Sequence, residues 1–237
     1  MTLLQSHSLR AFVRVATGIS FAVLAACASP PSRFYTLGSQ GDSTAADRTV
    51  SPAILIDMRP VTVPSAVARS QIVVQVSATQ VNVLEDDRWA SPLADEIRNA
   101  MLAAVSRQSG AADVQGMARA DNVAVYDVAV DVRRFETWPG SHVLIDVVWT
   151  VRPSNSQETM TCHSVVSRSV TAGYDAVVDG HRRALQSIAA QIGQGIRELV
   201  KTSTVRLGRQ TATRLMSCPS MAEAETRIDA PDSGVAQ

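Results

Sequence analysis

The stretch Asn122–Val151, NVAVYDVAVDVRRFETWPGSHVLIDVVWTV, decides the fold. In its first half Ala124, Tyr126, Val128, Val130 and Val132 recur at every second position, with Asp127, Asp131 and Arg133 between them. In its second half Val143, Ile145, Val147, Trp149 and Val151 repeat the pattern. Successive strand side chains point to opposite faces, so alternation of this length specifies strands with one buried and one wet face. The strands run over Asn122–Phe135 and Ser141–Val151. Between them Thr137-Trp138-Pro139-Gly140 has turn chemistry, which predicts an antiparallel hairpin. The more polar run Thr159–Val170 predicts a third strand nearer a sheet edge.

Two helical patterns flank this hairpin. Upstream, Ser91 is a candidate N-cap, Pro92 suits the first turn, and Asp95 and Glu96 complement its positive end. Leu93, Ile97, Met101, Ala104 and Val105 then form one stripe, and Gly110 supplies a stop. Downstream, a helix over about Asp175–Lys201 aligns Val178, His181, Leu185, Ile188, Ile192, Ile196 and Leu199. Gly193 and Gly195 within it each cost ~1 kcal/mol relative to alanine. Close packing on the sheet or on another copy of the chain accounts for them, as does a tolerated kink.

Shorter strands are predicted at Arg33–Leu37, Ala53–Met58, Gln71–Val76 and Gln80–Leu84. Gly38–Ser51 reads as a polar loop, and Pro60 and Pro64 mark a strand edge or bend. Strands grouped around two amphipathic helices imply an α+β fold, with both helices on one face of a mainly antiparallel sheet. After Leu207 the chain turns polar, and Pro219–Gln237 reads as a mobile tail. No internal repeat is evident.

Composition removes several classes. The 237 residues carry 22 basic and 22 acidic side chains, so no basic excess points to nucleic acid. With 46% hydrophobic and 19% charged residues, the chain reads as neither disordered nor a polytopic membrane protein. Lys201 is the single lysine, which excludes chemistry needing several.

Residues 1–26 read as an export signal: Arg10 and Arg14 precede the apolar run Val15–Ala26, too short for a spanning helix of ~20 residues. Leu24-Ala25-Ala26-Cys27 looks like a bacterial lipobox, in which Cys27 receives the lipid. Removing the signal leaves 20 basic against 22 acidic side chains, a net charge of −2 that argues against adhesion by a basic patch. Ala28 and Ser29 follow the cysteine where inner-membrane retention calls for aspartate, so the outer membrane is the expected destination. The expected layout is a signal over 1–26, a lipidated tether over 27–32, an α+β domain over 33–207 and an extension over 208–237.

Export to an oxidising space bears on the other cysteines. Cys162 and Cys218 remain, an even number, which predicts a disulfide; two separate buried thiols are the alternative. Neither has zinc-ligand spacing, and no cofactor motif is present. The sequence lacks Gly-x-Ser-x-Gly, Ser-x-x-Lys, His-Glu-x-x-His, P-loop and Gly-x-Gly-x-x-Gly motifs. His142, His163 and His181 read as surface or packing residues, and Asp86-Asp87 as solvated loop charges. No residue stands out as catalytic, so the expected protein is not an enzyme.

Ordered blocks along the chain carry a resemblance. They are Ser32-Arg33-Phe34-Tyr35-Thr36-Leu37 after Cys27, Ile54-Leu55-Ile56 leading to Val61-Thr62-Val63-Pro64, and Ser70-Gln71-Ile72-Val73. Arg88-Trp89-Ala90-Ser91-Pro92-Leu93 follows, and then Ala184-Leu185 with Ile188-Ala189. From the lipobox to about Lys201 the chain resembles the ABC-type transport auxiliary lipoproteins, of the paraquat-inducible protein C type. Phe-Tyr-Thr-Leu and Arg-Trp-Ala-x-Pro-Leu are the specific elements. Ser65-Ala66-Val67-Ala68-Arg69 departs from the pattern, lacking the tyrosine or leucine common after the proline.

The resemblance implies a non-enzymatic subunit, held by its lipid on the periplasmic face of the outer membrane. Its partners are then an MCE-domain protein and an ABC permease/ATPase system for lipid trafficking, with a homo-oligomer left open. A periplasmic lipid carrier is the alternative and needs an enclosed apolar pocket of ~300 to 1,000 Å³; an unrecognised hydrolase is a third. Phe34, Tyr35 and Trp89 are expected in the core, whereas Trp138 at the hairpin tip is the candidate partner contact.

Overall fold

A computed structural model describes residues 31–38, 54–114, 123–156, 158–206 and 218–219. The signal, Cys27 and most of the predicted tail lie outside them. From Arg33 the chain builds one compact unit. Its elements are β1 (Arg33–Tyr35), β2 (Ile54–Met58), β3 (Gln71–Gln75), β4 (Val81–Trp89), α1 (Leu93–Ser109), β5 (Ala112–Asp113), β6 (Ala124–Trp138), β7 (His142–Pro153), β8 (Met160–Ser169) and α2 (Tyr174–Arg206).

The fold is α+β, but its strands form two mixed sheets. The larger has the order β5-β2-β6-β7-β8. Its β6–β7 and β7–β8 pairs are antiparallel, as the alternation predicts, and β8 is an edge. β2 instead runs parallel to both β5 and β6. The smaller sheet, β1-β4-β3, pairs β1 parallel and β3 antiparallel to β4. Hydropathy alternation marks a buried face without naming the neighbour, so parallel partners arriving from distant sequence left no local signal.

The inward residues of β7, from Val143 through Val151, are all buried, as is every residue of both predicted helix stripes. α2 packs on β7 and β8, and α1 packs on α2, β2 and β5. In β6 the register slips between Val132 and Arg134. The extra residue reverses the inward parity, so Val132 is followed on the core side by Phe135 and Thr137. Ala124 is exposed despite its place in the predicted apolar set.

Close approach accounts for the two glycines of α2. A Cβ on Gly193 would stand 2.9 Å from Gln108 Cβ on α1, and one on Gly195 would stand 2.9 Å from Met160 Sδ. Their neighbours belong to this chain. Gly110 ends α1 in the left-handed region at φ 72°, its N–H donating to Ser106 O at 2.9 Å.

Several boundaries move. Pro92, with no donor of its own and no capping side chain, holds the N-cap position expected of Ser91. β4 runs five residues past the predicted end at Leu84, to Trp89, and so takes Asp86 and Asp87 out of the expected loop. Strand geometry sends adjacent side chains to opposite faces, and Asp87 is only 4% exposed. α2 continues beyond Lys201 to Arg206.

Candidate functional site

The small sheet and the start of α1 carry both specific blocks of the resemblance. Arg33 and Tyr35 stand in register with Asp87 and Trp89, while Phe34 is paired with Arg88 on the opposite face. The first face is locked by polar contacts. Arg33 grips Asp87 through Nε and Nη2, both at 2.8 Å, and the Tyr35 hydroxyl donates to the same carboxylate at 3.0 Å. The hydrogen bond and charge of Asp87 raise the Arg33 guanidinium above its ordinary pKa. Burial, then the bond to Asp87, raises the Tyr35 phenol.

A second carboxylate ties β1 to α1. Glu96 is 5% exposed and accepts four hydrogen bonds. Its Oε2 takes Thr36 Oγ1 and Leu37 N–H, each at 2.8 Å, and its Oε1 takes Ser91 N–H at 3.1 Å and Ser91 Oγ at 2.7 Å. Ser91 thus contributes to the helix start by bonding a first-turn side chain, rather than by capping backbone. The acidic first turn was legible in the sequence; the burial of Glu96 was not.

The opposite face opens onto a groove of about 480 Å³. Phe34, Val63, Trp89 and Pro92 give it apolar walls, with Arg69 and Arg88 also lining it. Phe34 is 66% exposed, which corrects its expected place in the core. Period 2 allows only one of Phe34 and Tyr35 to face inward, and the Asp87 lock selects Tyr35. Trp89 is buried as expected and meets Phe135 edge-on at 6.2 Å. The turn where the sequence departs from the family pattern supplies Ala68 and Arg69 to the groove.

The other candidates lie apart from this groove. Trp138 is half-buried at the end of β6: it stacks on His142 at 5.6 Å, and its Nε1 donates to Glu136 at 3.3 Å. The hairpin tip therefore covers part of the ring proposed as a contact. His163 sits 2.7 Å from Asp146 on the wet face of the large sheet. His181 is fully buried, stacked on Phe135 at 3.9 Å and 2.8 Å from Thr137 Oγ1, with no partner at Nδ1. Burial drives its pKa down to about 3. Cys162 and Cys218 are joined in a disulfide with a Cα–Cα distance of 5.7 Å. Among the described residues no three His, Cys, Asp or Glu side chains gather as a metal site.

Two solved structures share the fold. One, of an uncharacterised protein, is 21% identical at a TM-score of 0.56, covering 70% of this chain and 99% of its own. The other, a Xanthomonas campestris protein of the DUF330 family, is 19% identical at a TM-score of 0.54, covering 73% of this chain and 99% of its own. Among curated proteins none matches. No helix among the described residues is long and apolar enough to cross a membrane. The family model described as the ABC-type transport auxiliary lipoprotein component matches residues 35–193, from the Asp87-bound tyrosine to the glycine packed on α1, and the chain belongs to that family.

Proposed function

We propose that this lipoprotein is a non-enzymatic docking subunit of an MCE-type lipid transport system, anchored through Cys27 on the periplasmic face of the outer membrane. The observation that carries this is the family match over residues 35–193, which supports an accessory role beside an ABC transporter. The MCE-domain partner and the outer membrane extend that role. Ala28 and Ser29 after Cys27 favour the outer membrane. Six residues from Cys27 to Arg33 reach at most about 20 Å, so a protein held this close to one membrane needs a partner to connect with the other.

The test is recovery of partners from solubilised membranes, with lipid analysis of the eluate. An MCE-domain protein and transporter subunits are the expected companions. Stoichiometric lipid without protein would replace docking with the carrier function. Cys27→Ser should release the protein from the outer membrane or leave it unprocessed, and unchanged attachment by fractionation would remove the anchor.

A further inference from the structure

The groove beside β1 has a chemistry that the docking role does not use. Arg33 and Tyr35 are both held by Asp87, so β1 cannot rotate to bury Phe34 without breaking those bonds. The ring is consequently held outward at a groove that Val63 and Pro92 also line. Two guanidinium groups accompany it. Arg88 spends its Nε on the carbonyl of Glu85, at 2.9 Å, and Arg69 has no ion-pair partner among the described residues. Among the described residues no carboxylate lines the groove.

An outward aromatic, apolar walls and two cations without acids match the boundary between phospholipid headgroups and acyl chains. Guanidinium groups bind phosphate oxygens there while their stems lie along apolar surface, and an aromatic ring enters the boundary layer. The position in the chain selects the occupant. Phe34 lies seven residues beyond Cys27, a distance of about 25 Å when fully extended. A bilayer holding acyl chains on Cys27 is therefore always within reach of this face.

We propose that the Phe34–Arg69–Arg88 face seats on the phospholipid surface of the membrane that holds the anchor. Phe34 enters the headgroup–acyl boundary and the arginines bind lipid phosphates. This rests on the lipoprotein reading with Cys27 as the acylated residue. The net charge of −2 after processing does not oppose it, because the anchor supplies the affinity and the local patch sets the orientation.

The experiment uses the full acylated lipoprotein carrying Phe34→Trp, reconstituted into vesicles of phosphatidylethanolamine and phosphatidylglycerol. Phospholipids brominated near the carbonyl end of their acyl chains serve as quenchers. The unsubstituted protein gives the background from Trp89, Trp138 and Trp149. The added emission should shift to the blue and be quenched in brominated vesicles, and Arg69→Glu with Arg88→Glu should restore much of it. Protein that stays on the vesicles with unquenched emission at position 34 overturns the seating alone. Protein that leaves the vesicles overturns the anchor and the seating with it.

Discussion

The two sheets are held in register by different means. In the large sheet, β7 presents five consecutive inward residues, Val143, Ile145, Val147, Trp149 and Val151, each at most 1% exposed. Apolar alternation sets its register, because a slip of one residue would turn that whole set toward water. In the small sheet β1 is three residues long, and its middle residue, Phe34, points into solvent. So short a strand is placed by two buried carboxylates, Asp87 and Glu96, which hold it to β4 and α1. Apolar patterning builds the scaffold, and polar locks place the segment that follows the lipidated amino terminus expected at Cys27.

This contrast is broken most severely from the scaffold side. Trp149 is fully buried, and its Nε1 donates at 2.9 Å to Ser164 Oγ, which donates at 2.6 Å to Gln191 on α2. Trp149→Ala should cost about 3–5 kcal/mol, from the lost burial and the cavity left behind. Urea unfolding checks it. A loss below about 1 kcal/mol would mean that the core collapses around the gap and that β7 does not carry the scaffold.

The polar lock gives the next effect. Glu96→Ala leaves the buried Leu37 N–H and the Ser91 N–H without their acceptor, which should cost about 3 kcal/mol. The location of the damage matters more than its size. Amide exchange should accelerate at residues 35–37 and at the start of α1 while β7 keeps its protection. Uniform acceleration would show that the small sheet is not held separately.

A third expectation concerns the bridge between the sheets. Trp89 meets Phe135 edge-on, and Phe135 stacks on His181, which links β4, β6 and α2. The His181 pKa falls from 6.5 to about 3 on folding, so the native state requires the neutral ring. At pH 7.5 the ring is neutral in both states and nothing is lost. As pH falls below 6.5 the unfolded chain protonates first, and stability drains until the folded-state value is reached. From pH 7.5 to 5 this removes about 2 kcal/mol. His181→Gln lacks the titration, so its stability deficit relative to the unsubstituted protein should narrow by that amount. A deficit constant across this range would mean that acid sensitivity arises elsewhere.

How much of this was legible in sequence follows the same division. The β6–β7 hairpin and both helix stripes could be read because their apolar residues repeat at periods of 2 and 3.6, and the edge position of β8 because its run is more polar. The bulge near Arg133 could not, since one inserted residue leaves the composition unchanged and alters only the phase. The exposure of Phe34 is not legible either, because an aromatic in a short strand reads as core until its partner strand is known. The burial of Asp87 has no sequence signal, because the apolar pattern of β4 stops at Leu84 while the strand continues to Trp89 and carries the carboxylate inward. Parallel pairing of β1 with β4 joins residues more than fifty positions apart, and neither segment alone announces the other.

The smallest effect tests how the Asp87 lock divides its work. Tyr35→Phe removes one hydroxyl that donates to Asp87 at 3.0 Å and leaves both Arg33 contacts at 2.8 Å in place. The carboxylate keeps partners after the change, so the full penalty of an orphaned buried charge does not arise, and the expected loss is about 1 kcal/mol. A loss near zero in urea unfolding would assign the fixing of β1 to Arg33 alone. A loss above about 2 kcal/mol would mean that the hydroxyl also orients Asp87 for the arginine. In the latter case Phe34 should turn inward in the variant, and quenching by dissolved iodide of a tryptophan placed at position 34 should fall. The lock and the exposed ring would then behave as one device, with the polar face of β1 fixing what its apolar face presents.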